Sequence, residues 1–113
     1  MVKEGELLAV FNSVHRVMKA ETLLKMRNIP FLLIPAPRAL QTECGLALRF
    51  SPEDALQIIT SLDYEGVMPE FIASYNSGDY VTVWHEPEPF SSSLFYAAVN
   101  EESRLCFNPG KGE

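Results

Sequence analysis

Positive charge is scarce in this chain. Nine Lys and Arg stand against fifteen Asp and Glu, a net charge of −6 over 113 residues. Nucleic acid and anionic membrane both require a basic face, so neither is an expected partner. Arg38 and Arg49 could at most supply a local basic spot. Cysteine is scarcer still. Cys44 and Cys106 are too few for the disulfide framework of a small secreted domain, so free thiols in a reducing, cytoplasmic compartment are expected. A single 44–106 disulfide is the alternative. His15 and His85 have no companions at metal-ligand spacing, and no metal is expected. A glycine-rich phosphate loop is missing too: Pro109-Gly110-Lys111-Gly112 lacks the strand–loop–helix context, and no cofactor is expected. The apolar run nearest the N-terminus, Leu7 to Phe11, is far too short for a signal-peptide core or a membrane span.

What is present is enough for one core. Hydrophobic residues make up 47% of the chain, which is ordinary for a globular protein and too many for disorder. Leu7-Leu8-Ala9-Val10-Phe11 has the pattern of a strand buried on both faces. Asn12-Ser13 then supplies residues that cap helix N-termini. From Val14 the period becomes helical, with Val14, Val17, Leu24 and either Met18 or Glu21 as the expected core stripe. Asn28 suits the left-handed turn that ends a helix, and Pro30 prevents it resuming. Phe31-Leu32-Leu33-Ile34 reads as a second buried strand, and Leu46-Ala47-Leu48-Arg49-Phe50 as a third. Ser51-Pro52-Glu53-Asp54 is the strongest helix start in the chain: a cap, a proline at the first helical position, then two carboxylates. Ala55, Ile58, Ile59 and Leu62 give that second helix its apolar stripe.

Strand–helix–strand repeated twice predicts an α+β, ferredoxin-like βαββαβ fold: a four-stranded antiparallel sheet with two helices on one face. The fourth strand is expected near Gly66 to Ser74, its start blurred by Pro69. Residues 1–74 would form this core and 75–113 a β-rich extension packed on the same domain. In the extension, Asn76-Ser77-Gly78-Asp79 is turn material, Tyr80 to His85 reads as a strand, and Leu94 to Val99 fits a strand or a short helix.

Cys44-Gly45 is the one concentrated chemical signal. In the predicted topology the loop from Pro35 to Gly45 lies at the same sheet edge as Asn12, Ser13 and the N-terminus of the first helix. A thiol there would feel the positive end of the helix dipole, helped by Arg38, and both favour the thiolate over the thiol. Gly45 would let a partner's backbone approach closely. The bland alternative is that Cys44 is packing, since cysteine is among the most buried residue types, and a charge on Glu43 would oppose thiolate formation. Cys106 sits in an apolar segment and reads as packed. Ser13 reads as a cap rather than a nucleophile, and Tyr75, Tyr80 and Trp84 as core or hairpin packing.

Phe11-Asn12-Ser13 before a helix, Ile29-Pro30, Pro35-Ala36-Pro37-Arg38, and Cys44-Gly45-Leu46-Ala47-Leu48-Arg49-Phe50 together resemble the selenium/sulfur carrier protein-like family of small bacterial and archaeal proteins. The resemblance runs from about Leu7 to Leu62. It implies a carrier rather than an enzyme, with Cys44 taking sulfur or selenium from a donor protein and passing it to an acceptor, and with Arg38 and Gly45 in the motif around it. Two positions depart from the family pattern. Ala39-Leu40-Gln41 stands where isoleucine or valine followed by serine is usual, removing a hydroxyl near the thiol, and Asn28 replaces a glycine. Two other classes compete: a ferredoxin-like small-molecule-binding or regulatory module acting as a homodimer without thiol chemistry, and a structural interaction protein with no transferable group.

Overall fold

The computed structural model describes residues 3–40, 42, 44–86, 91 and 95. Seven elements follow in order: β1 (Leu7–Val10), α1 (Val14–Met26), β2 (Leu32–Pro35), β3 (Leu46–Phe50), α2 (Pro52–Glu65), β4 (Phe71–Asn76) and β5 (Asp79–His85). The strands form a five-stranded sheet in the order β2-β3-β1-β4-β5, every neighbouring pair antiparallel. This is the expected α+β, ferredoxin-like arrangement, with β5 adding a fifth strand beside β4. The first strand made is the middle one. Leu8 lies opposite both Arg49 of β3 and Ala73 of β4, and all four β1 residues are buried.

Alternation along the strands separates two faces. Leu7, Ala9, Leu48, Phe50 and Ile72 join Val17, Ala20 and Leu24 of α1 and Ala55, Ile58, Ile59 and Leu62 of α2 in the main core. Leu8, Val10 and Ala47 point the other way and form a second, smaller cluster with Ile34, Ala36, Leu40, Phe71 and Tyr80 around it.

Both helices end as their sequences dictate. Ser13, extended at φ −152°, accepts the Arg16 N–H with its hydroxyl and caps α1. Asn28 takes the left-handed conformation at φ 57°, and the Ile29 N–H reaches back to the Leu24 carbonyl. Gly66 at φ 73° plays the same part after α2, with Val67 bonding Leu62. Ser51 is the N-cap of α2, but its hydroxyl donates to the Asp54 carboxylate instead of accepting from the backbone.

Three details differ from expectation. The buried stripe of α1 is Val17, Ala20 and Leu24, while Val14 and Met18 are exposed. At 3.6 residues per turn these two lie roughly 90° and 130° from the centre of that stripe, and small Ala20 is what the sheet accepts. Strand β2 is not a buried strand. It starts at Leu32, has β3 as its one neighbour among the described strands, and leaves Leu32 48% exposed. Strand β4 begins at Phe71, later than expected, because Pro69 cannot donate to a ladder and pairing starts once it is passed. The turn Asn76-Ser77-Gly78-Asp79 was legible: Ser77 and Gly78 both have positive φ, the geometry of a two-residue hairpin whose twist matches its strands. The expectations for Glu43, for Leu94 to Val99, apart from Phe95, and for Cys106 fall outside the described residues.

Candidate functional site

The β2–β3 connection folds back over the end of β1. Its base is fixed by the Ala36 N–H donating to the Gly45 carbonyl at 2.9 Å, and a turn inside it is closed by Leu40 N–H to Pro37 O at 3.0 Å. Gly45 has φ +72°, and nothing lies within 4 Å of where its Cβ would stand. The glycine is therefore required by backbone conformation, which other residues adopt only at a cost, and not by crowding.

This turn delivers Cys44 to the junction between β1 and α1. Its Sγ is 3.1 Å from the carbonyl oxygen of Phe11 and 3.2 Å from that of Leu46, and the Leu46 N–H donates to the sulfur at 3.4 Å. The thiol is free and half-buried, packed at the margin of the helix-side core. The thiol proton has a carbonyl acceptor on either side and can bond one at a time, while the sulfur lone pair meets one backbone donor. The side chain is thus held from three directions by main chain.

Thr42 completes the contact. Its hydroxyl donates to the same Phe11 carbonyl at 2.8 Å and stands 3.6 Å from Sγ. The sequence pattern marks the missing serine after Arg38 as a lost hydroxyl and gives Thr42 no role. In the fold a hydroxyl is nevertheless beside the sulfur, and it comes from Thr42. The available signal was its position two residues before Cys44, which in extended chain puts both side chains on one side.

The other expected residues divide. Ser13 is present at the same edge but is occupied as the α1 cap. Asn12 is exposed between Phe11, whose carbonyl Cys44 touches, and that cap. Arg38 is exposed in the turn after Pro37 and makes no hydrogen bond or ion pair to the thiol. Arg49 lies on the opposite face of β3 from the main core and pairs with Glu6, Nε to Oε1 at 3.5 Å. Among the described residues no three His, Cys, Asp or Glu side chains gather to hold a metal, and no helix is long and apolar enough to cross a membrane.

Comparison with curated proteins and with solved structures returns no significant match. Against family models, residues 6–74 match the one described as Putative Se/S carrier protein-like. That span runs from the start of β1 to within β4 and includes the whole Cys44 loop. Covering more than half of the sequence, and holding the thiol against the strand–helix junction, it makes this chain a member of the Se/S carrier protein-like family.

Proposed function

We propose that the protein carries sulfur or selenium as a transferable group on Cys44, between a donor protein and an acceptor protein. The observation that supports this most directly is the contact of Sγ with the Phe11 carbonyl. It sets the family's cysteine beside the start of α1, in a turn short enough to present it to a partner. In the resting arrangement the thiol proton is engaged by one or other of two carbonyl oxygens. Loading then requires a partner's base to take that proton as the sulfur swings free of Phe11. With sulfur as cargo, the exchange balances without an external oxidant: a donor persulfide R–S–SH and the Cys44 thiol give R–SH and Cys44–S–SH. The terminal sulfur moves as the bond to the donor's inner sulfur breaks and one to Sγ forms.

Exposed Arg38, three residues past the end of β2, is available to meet an anionic partner or the transferred anion. Asn12 and Ser13 shape the floor on which the partner's chain would rest. Gly45 fixes the direction of the loop.

The test is site-resolved alkylation of the native protein across a range of pH, read by peptide mass spectrometry, followed by loading from a small-molecule persulfide. Cys44→Ser and Cys106→Ser serve as controls. The expected result is that Cys44 reacts in the folded protein and gains one sulfur atom, and that Cys106→Ser does not alter this. A Cys44 that stays unreactive until the protein unfolds would make the thiol a packing residue and end the carrier reading.

A further inference from the structure

Charge is unevenly spread along this chain. Between Val14 and Arg27 four cations (Arg16, Lys19, Lys25 and Arg27) stand against one carboxylate, Glu21, while the whole chain has nine against fifteen. Helix α1 is thus the basic element of an acidic protein. Exposed apolar side chains gather on it as well. Of the five large hydrophobic residues exposed among the described ones, three belong to α1: Val14 at 50%, Met18 at 43% and Met26 at 75%. At about 100° per residue, Val14, Lys25 and Met18 fall within roughly 40° of one another, and His15, Met26 and Lys19 complete an exposed arc of roughly 140°. The buried residues of the helix, Val17, Ala20 and Leu24, lie on the other side. The one carboxylate of α1, on Glu21, is only 17% exposed and pairs with Lys25, whose own side chain stays 67% exposed.

We propose that the exposed face of α1 docks a partner protein whose own surface is acidic around an apolar strip. The carrier reading enters at one point only: it makes that partner the donor or acceptor for Cys44. Single exposed hydrophobics are ordinary on a protein surface. Three of them sharing one helix face with lysines form a patch of the kind that marks an interaction site. Two are methionines, unbranched and polarisable, which repack against differently shaped surfaces; a carrier has to fit both its donor and its acceptor. Lys19 and Lys25 supply the outward charge. Arg16 is bonded to the Met68 carbonyl and Arg27 to Ser61 and Glu65, so these two add to the positive field rather than to the contacts. The face also starts at the thiol. Val14 opens α1 three residues after Phe11, whose carbonyl lies 3.1 Å from Sγ, and the helix runs about 18 Å from there to Met26. An anionic membrane is the poorer occupant, because the rest of the chain carries fourteen carboxylates against five cations and is repelled by it.

The experiment is an amide-resolved NMR titration of the full chain with a synthetic helical peptide carrying leucines at helical spacing and glutamates between them. Two control peptides replace every glutamate by lysine or every leucine by serine. Saturable shifts are expected at Val14, His15, Met18, Lys19 and Met26. The glutamate–leucine peptide should bind about tenfold or more tighter than either control, and several-fold more weakly at physiological than at low salt. Lys19→Glu combined with Lys25→Glu should erase the preference for glutamate over lysine, and Met18→Ser should weaken the leucine peptides. These positions are exposed, and the same spectra report that each variant is folded. Iodoacetamide alkylation of Cys44 separates this proposal from the carrier reading. A thiol that reacts in the free protein and is slowed by saturating peptide is the expected result; one that is unreactive throughout removes the carrier reading and leaves the docking result standing. Shifts confined to other elements, equal affinity for the three peptides, a reactive Cys44 whose rate bound peptide leaves unchanged, or tighter binding to phosphatidylserine vesicles than to the peptide overturns the proposal.

Discussion

Replacing Gly45 by alanine separates two reasons a glycine can be needed. At φ +72° the backbone is left-handed, and the space around the missing Cβ is empty to 4 Å. The steric contribution from neighbours is therefore close to zero, and what remains is the left-handed penalty of an L-residue, roughly 1–2 kcal/mol. Gly45→Ala should destabilise the protein by that amount. For a domain of this size it corresponds to a fall in melting temperature of roughly 4–16 °C. Gly66→Ala is the matched control, since its φ is +73° and its surroundings are equally open; it should cost about the same. Gly45→Asn should cost less than alanine, because asparagine tolerates this region. Urea unfolding monitored by Trp84 fluorescence gives all three values from one midpoint series at constant slope. Should Gly45→Ala prove neutral while Gly66→Ala does not, the loop does not hold the left-handed turn in solution, and the placement of Cys44 argued above fails with it. A cost above about 4 kcal/mol would instead mean hidden crowding.

Three further outcomes follow from the same contacts. Thr42→Val removes the 2.8 Å bond to the Phe11 carbonyl; it should cost about 0.5–1.5 kcal/mol and speed iodoacetamide alkylation of Cys44, and an unchanged rate would show that Thr42 does not pin the loop. Leu48→Ala, at a wholly buried position of the main core, should cost about 2–5 kcal/mol, measured by the same urea series; a cost below 1 kcal/mol would contradict that burial. Tyr80 is raised from its ordinary value of 10.0 by burial and by Tyr75. Its phenol therefore ionises more readily in the unfolded chain, and stability should be intact below pH 10 and decline as the pH rises from there through the folded-state value. Phenolate absorbance at 295 nm checks the ionisation, and Tyr80→Phe should flatten that limb of the stability curve.

Most of the fold was legible because its signals are local. Ser13, Asn28, Pro52 and Gly66 mark helix boundaries through backbone geometry that a few neighbouring residues decide. The placement of the Cys44 loop beside the first helix was also reachable, since a repeated strand–helix–strand unit fixes which loops share an edge. What the sequence hid depends on partners distant in the chain. That β2 lies at an edge of the described sheet, and is half-exposed despite Leu32-Leu33-Ile34, is set by sheet order. Likewise, Arg49 could be named as a cation but not assigned to a cavity wall shared with Tyr75 and Tyr80, because that wall exists only once β2 and β5 flank the same face. Thr42 was overlooked for a related reason: its importance lies in Phe11, thirty-one residues earlier.

The central position of β1 also bears on how the chain reaches this state. Leu7 to Val10 are made first, yet their partners are Ala47 to Phe50 on one side and Phe71 to Ser74 on the other. During synthesis this apolar segment emerges long before either neighbour can cover it. Helices α1 and α2 can form early from local contacts, but the sheet must wait for β4, so folding is governed by the closure of long loops. A chain released before Asn76 would leave the middle strand with one flank open, an edge able to pair with another copy. Completion of the ladder around β1 is thus timed by the arrival of β4.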